Sequence, residues 1–207
     1  MKLAFLGDSI TEGAGASEPN YNYVNQVGQM LGCKVINYGI SGTRIARSKG
    51  TPTHKHDIDF NLRTILLDKT ADKIFVFGGT NDYKHNNCLF GEKGDCEVNT
   101  FHGAVNLLLA TLIEMYGKDN VVVILPMQRC NQETIPNSVT GKYLKDYVEV
   151  LKEYVDMYEL KYIDLFNDGL PEPPEGESEY FIDGLHPNDK GHKFIAEKIC
   201  EFIKNDK

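Results

Sequence analysis

The sequence predicts an α/β fold, in which a mostly parallel five-stranded sheet carries helices on both faces. Three observations lead there. Short apolar or β-branched runs alternate along the chain with segments of helical periodicity. Each run is bounded by Gly, Asn, Asp or Pro, the residues that end strands and start turns. Right-handed crossovers then leave few ways to thread five such strands, and the order 2-1-3-4-5 is the one expected.

The strands are expected at Leu3–Leu6, Lys34–Tyr38, Ile74–Phe77, Val121–Leu125 and Lys161–Leu165. Between and after them, helical patterns run over Asn22–Leu31, Ile58–Leu67, Thr100–Tyr116, Gly141–Tyr158 and Pro187–Ile203. The third of these places Val105, Leu108, Leu109, Leu112 and Met115 on one face. The last buries Phe194, Ile195, Ile199 and Phe202, with Cys200 packed among them. Three segments read as long loops, Thr43–Asp57, Asp82–Asn99 and Asn167–Gly184. The third contains Pro171-Glu172-Pro173-Pro174-Glu175-Gly176, which cannot be regular structure. Long loops in a compact domain are usually functional.

At 207 residues the chain suits one domain, 1–207, with a full core. The net charge of −8 and the scatter of Lys and Arg exclude a nucleic-acid binder, which needs a basic patch. No run approaches the length of a membrane span, and the opening apolar stretch is too short for a secretory leader. Five cysteines without dense pairing suit a reducing cytoplasm. Cys88 and Cys96 flank one loop and are close enough in sequence to pair. The Asp82–Asn99 segment is long enough to reach a second subunit of a homo-oligomer.

Four loops carry the candidate chemistry. In Gly7-Asp8-Ser9-Ile10-Thr11, Ser9 follows the first strand directly, at the edge where open α/β sheets place their ligands. In Asn37-Tyr38-Gly39-Ile40-Ser41-Gly42-Thr43, two glycines let the backbone approach a ligand with bare N–H groups. In Gly78-Gly79-Thr80-Asn81-Asp82, Asn81 offers an amide donor at the same rim. In Asp183-Gly184-Leu185-His186-Pro187, Pro187 keeps His186 out of the helix that follows, and Asp183 can fold back to meet its imidazole. Each loop also has a purely structural reading, as a helix cap at Ser9 or Thr11, a plain turn, an Asx-turn at Asn81 or half of a metal site at Asp183 and His186.

Together they fill a set of linked roles. A serine needs an imidazole to take its proton, the imidazole needs a carboxylate to set its tautomer, and the developing oxyanion needs fixed donors. The four segments resemble the four sequence blocks of the SGNH hydrolases, the GDSL-type esterase and lipase superfamily, in that family's order from the first strand to the final helix. The resemblance implies a three-layer α/β/α sandwich and ester hydrolysis through an acyl-enzyme. It makes Ser9 the nucleophile, with Asp183 and His186 completing the triad. The Ser9 and Gly42 N–H groups and the Asn81 amide become the oxyanion hole. Asp8 matches a supporting aspartate that tethers neighbouring loops.

The substrate expected is a small-molecule ester with a short acyl group, such as an acetyl group on a sugar. The polar loops and the lack of an amphipathic lid disfavour action at an oil interface. Thioesters and lysophospholipids are the alternatives within the fold. No cofactor or metal is required. His85, Phe90, Tyr83 and Met127 are candidate walls of the substrate pocket, and Gln128-Arg129 follows the fourth strand at the same edge. His54 and His56 read as solvated. Three other readings use the same residues. One is a divalent-ion phosphoesterase built on Asp8, Asp82, Asp183 and His186. A second is a flavin-binding module cradling phosphate on Ser9, Thr11, Gly13 and Gly15. A third is a carbohydrate-binding relic of the fold without turnover.

Overall fold

A computed structural model describes residues 1–48, 54–85 and 88–206, without the His56 side chain. The expected loops Thr43–Asp57 and Asp82–Asn99 therefore lie partly outside the described residues. Five strands, β1 (Lys2–Gly7), β2 (Lys34–Gly39), β3 (Lys73–Phe77), β4 (Val121–Leu125) and β5 (Lys161–Asp164), form one sheet in the order 2-1-3-4-5. Every pairing is parallel. Gly7 of β1 stands opposite Gly39 of β2 and Phe77 of β3, so these strands end level and their following loops share one rim.

Successive residues of a strand point to opposite faces, and both faces are covered. Leu3 and Phe5 join Phe75, Val122, Ile124 and Ile163 in one core, closed by α2 (Tyr23–Leu31) and α7 (Asp189–Asn205). Ala4 and Leu6 join Ile74, Val76, Val121 and Val123 in the other, closed by α5 (Phe101–Tyr116) and α6 (Leu144–Met157). Two short helices sit on the rim itself, α1 (Ser9–Glu12) and α4 (Thr80–Lys84). Thr100 caps α5 through the Gly103 N–H, and Asn188 caps α7 through Lys190 and Gly191. No helix among the described residues is long and apolar enough to cross a membrane.

One expected element differs. The pattern over Ile58–Leu67 is not a continuous helix but α3 (Phe60–Arg63) flanked by single 3₁₀ turns at Lys55–Asp57 and Thr64–Leu66. The apolar spacing misleads here because Leu62, Ile65 and Leu66 are exposed, while Phe60 and Arg63 are the residues drawn inward. Tertiary bonds hold the segment short: Asn61 donates to the Ile45 and Ala104 carbonyls, and Arg63 reaches the ends of β1 and β2.

Cys88 and Cys96 form no disulfide. Cys88 is buried with its thiol on the Ala46 carbonyl, whereas Cys96 is exposed near Gly94. The rings of Phe5 and Phe75, on neighbouring strands, stack with centroids 5.0 Å apart and are fully buried. Phe75→Ala is expected to cost about 3–5 kcal/mol of stability, in the range of large-to-small core replacements. Urea unfolding measures it.

Candidate active site

The first site segment begins where β1 runs out. Asp8 takes the Ile10 N–H on its carboxylate and so caps α1, leaving Ser9 as the first helical residue, 6 % exposed. As the first residue of the helix, Ser9 has no intrahelical acceptor for its own N–H. The caps expected at Ser9 or Thr11 are thus not used. The Thr11 hydroxyl bonds the Tyr23 hydroxyl instead.

The second loop is fastened to the first by one guanidinium. Buried Arg63 donates to the Gly7 carbonyl (3.1 Å), to the Thr43 hydroxyl (2.8 Å) and to the Tyr38 carbonyl. Gly42 lies between these points with φ of +76°, a left-handed conformation that L side chains rarely adopt. No hydrogen bond from its N–H is found among the described residues.

The third segment forms α4 rather than an Asx-turn. The Asn81 amide donates one hydrogen to the Thr43 carbonyl at 3.0 Å, which locks its orientation and leaves its second hydrogen available. Asp82, buried beside it, accepts from the Ile45 and Ala46 N–H groups. The tether between loops expected of Asp8 is made by Asp82. The one hydrogen bond to the Asp8 carboxylate among the described residues comes from its own helix.

The fourth loop brings the imidazole. Asp183 folds back on its own backbone, one oxygen accepting the N–H groups of Leu185 (3.0 Å) and His186 (2.7 Å), the other meeting His186 Nδ1 at 2.7 Å. Nε2 of His186 stands 3.0 Å from Ser9 Oγ across 177 residues of sequence. With Nδ1 protonated toward the carboxylate, Nε2 is the acceptor for the Ser9 hydroxyl. The Asp183 side chain is 47 % exposed, so its charge is shared with solvent.

What holds this loop over Ser9 is the stretch following α1. Ala14 accepts from His192 Nε2 (3.1 Å), and Ser17 binds Asp189 through N–H (2.8 Å) and hydroxyl (2.7 Å). At Gly15, φ is +93° and an added Cβ would lie 2.1 Å from the Pro187 carbonyl oxygen. The glycine in the first loop therefore serves contact between two protein segments, not a phosphate cradle. Likewise Asp8 and Asp82 turn to backbone donors and do not converge with Asp183. No group of three or more metal-ligating side chains is found among the described residues.

Several expected pocket residues lie elsewhere. Phe90 packs against Phe101, His102 and Tyr147 on the α5–α6 side, because an apolar ring gains more in that seam than at a polar rim. Met127 is 3 % exposed and lines a closed space under Asp8 and Ile10 that has no room for a water molecule, so it is floor and not wall. Tyr83 is buried, with its hydroxyl on the Ile135 carbonyl. Gln128 turns away to the Phe166 carbonyl. His85 ends α4 at the rim, exposed, its N–H on the Asn81 carbonyl. His54 is exposed, and its N–H bonds the Asp57 carboxylate.

Arg129 reaches the site, donating to the Thr80 hydroxyl at 3.0 Å. Arg44, Arg63 and His192 are not singled out by the sequence, and Asp82 is singled out only as a possible metal ligand, not as the tether it forms. Nothing in a lone Arg, Asp or His at those positions distinguishes it from a surface residue.

Burial raises the carboxyls of Asp8 and Asp82, each to about 6, against the lowering effect of their backbone donors and of nearby arginines. Asp183 goes the other way. Its partial burial is outweighed by the His186 N–H, the His186 ring and the Leu185 N–H, which hold it below the ordinary carboxylate value.

Residues 5–194 match the sequence model of the GDSL-like lipase/acylhydrolase family. The chain belongs to that family. It is 28 % identical, over 99 % of its length, to an acetylxylan esterase from Xylanibacter ruminicola, but spans 43 % of that longer protein. A solved protein from Lactobacillus plantarum superposes with a TM-score of 0.82 at 27 % identity, covering 99 % of this chain and 96 % of the other. The structure of an acetyl xylan esterase shares the GDSL fold with a TM-score of 0.68 at 21 % identity, over 98 % of this chain and 100 % of the other.

The two raised carboxyls set a pH dependence. Each holds a proton more tightly when folded, near pH 6, than when unfolded, near 3.8, so the folded state binds more protons between those values and stability falls as pH rises through them. Asp8→Asn keeps an acceptor for the Ile10 N–H and removes the buried charge. It is expected to raise stability by up to about 3 kcal/mol above pH 6, at 1.36 kcal/mol per pH unit. The gain should shrink toward zero near pH 4, as read by thermal unfolding across that range.

Proposed function

We propose that this chain is a serine esterase that removes short acyl groups, of the acetyl kind, from carbohydrate esters through an acyl-enzyme. The observation that carries the reading is the unbroken relay from Ser9 Oγ to His186 Nε2 (3.0 Å) and from His186 Nδ1 to Asp183 (2.7 Å). The acetylxylan esterase named among its relatives supports the carbohydrate ester. The closed floor beneath Asp8 and Ile10 supports a short acyl group, since no channel for a long chain descends there. A cytoplasmic setting is supported by five cysteines that remain thiols.

In this mechanism His186 Nε2 accepts the Ser9 proton as Oγ attacks the ester carbonyl. The oxyanion receives the Ser9 N–H, the Gly42 N–H and the second hydrogen of the Asn81 amide. The imidazolium, steadied by Asp183, protonates the leaving alcohol. Water then enters, gives its proton to His186 and attacks the acyl carbon. Ser9 departs with that proton, and the acid is released.

Ser9→Ala should lose about six orders of magnitude in kcat, as replacing the nucleophile does in a comparable serine hydrolase. Wild-type turnover of p-nitrophenyl acetate by that variant would overturn the mechanism. Asn81→Ala removes one oxyanion donor and is expected to lose about 100-fold or more in kcat, equivalent to roughly 2.7–4 kcal/mol. Asp183→Asn is expected to lose about 10- to 1,000-fold, less than the roughly 10⁴ of a buried triad aspartate, because water reaches this carboxylate. Unchanged turnover would remove it from the relay. A panel of p-nitrophenyl esters of increasing chain length, run beside acetylated xylo-oligosaccharides, a thioester and a lysophospholipid, tests the substrate. Best turnover on long chains, the thioester or the lysophospholipid would contradict it.

A further inference from the structure

Two buried guanidiniums border the short helix that carries Asn81, and neither forms an ion pair with a carboxylate among the described residues. Arg44 is 5 % exposed, and its buried Nε has no hydrogen-bond partner there. Its backbone is held firmly. The Thr43 carbonyl accepts from Asn81, the Arg44 carbonyl accepts from Phe60, and the Ile45 and Ala46 N–H groups bind Asp82. Arg129 is 7 % exposed, donates to Thr80 and lies over the Tyr83 ring, 5.7 Å from its centre. His85, at the exposed end of the same helix, has its pKa lowered by desolvation and by the charges of Arg44, Arg129 and Lys84.

Burying a guanidinium without a hydrogen-bonding anion is costly. The acids in reach are already committed, Asp8 to the Ile10 N–H, Asp82 to Ile45 and Ala46, and Asp183 to His186. An incoming anion is the natural partner. We propose that Arg44 and Arg129 receive a carboxylate borne by the ester substrate, beside Asn81. This rests on the esterase reading above for its place next to the oxyanion hole. The planar guanidinium matches the two oxygens of a carboxylate. A single charge suits the site, because Asp8, Asp82 and Asp183 lie in the field of the same arginines and repel a dianion more strongly. Within a carbohydrate esterase the substrate class is an acylated sugar acid.

Calorimetric titration of the wild-type protein with glucuronate, its neutral amide glucuronamide and inorganic phosphate tests this without any turnover. Glucuronate should bind at least about tenfold tighter than the other two, and less tightly as salt rises. Arg44→Gln and Arg129→Gln should each abolish the preference while circular dichroism shows a folded protein. Should Arg44→Gln not fold, Arg44→Lys keeps the charge without the fork and should weaken glucuronate alone. No measurable glucuronate binding, equal binding of acid and amide, stronger binding of phosphate or a preference that survives in the folded variants would overturn the proposal. Failure of the esterase reading shows separately, as p-nitrophenyl acetate hydrolysis that does not depend on Ser9.

Discussion

The seating of residues 14–17 on the start of α7 is the contact on which the rest of the site depends. Ser9 and His186 come from opposite ends of the chain, and a hydrogen bond of 3.0 Å between them requires their backbones to be fixed to within a fraction of an ångström. The Asp189 carboxylate on Ser17, the His192 ring on Ala14 and the bare approach of Gly15 to Pro187 provide that fixing. The Ser17 contact is exposed, whereas the His192 ring is buried, stacked on Tyr23, which in turn edges against Phe5 and Phe77. The aromatic core of one sheet face thus runs directly into the support of the imidazole.

The other half of the rim is held by charge rather than by apolar packing. Arg63 ties the ends of β1 and β2 to Thr43, and Asp82 ties Ile45 and Ala46 to α4. Groups this buried interact strongly because little water screens them, and they lose much in leaving water. Backbone donors and carbonyls satisfy most of them. Arg44 and Arg129 stand apart from these, buried guanidiniums with no carboxylate ion pair among the described residues, bordering the short helix that carries Asn81.

Where sequence pattern failed, long-range bonds overrode local preference. Ile58–Leu67 carries helical apolar spacing, yet its exposed Ile65 and Leu66 show that the spacing does not record burial, and Asn61 and Arg63 are spent on partners outside the segment. Phe90 and Met127 were legible as apolar but not as to place. One ring was drawn into the α5–α6 seam, and one thioether into the floor. Asp8 and Asp82 look alike in sequence, each beside a site residue, and only the fold decided which of them caps its own helix and which binds a second loop.

The sequence by itself determined the sheet, its strand order and the meeting of Ser9, Asn81, Asp183 and His186 at one rim. These follow from period-two and helical hydrophobic patterns, from the glycines and prolines that end elements, and from residue types that linked proton and charge transfer demands. The tertiary structure alone decided which residues position that chemistry. Arg63, Asp82 and His192 act through partners 20 to 178 residues away, and a bond between distant residues leaves no periodic trace in the chain that makes it.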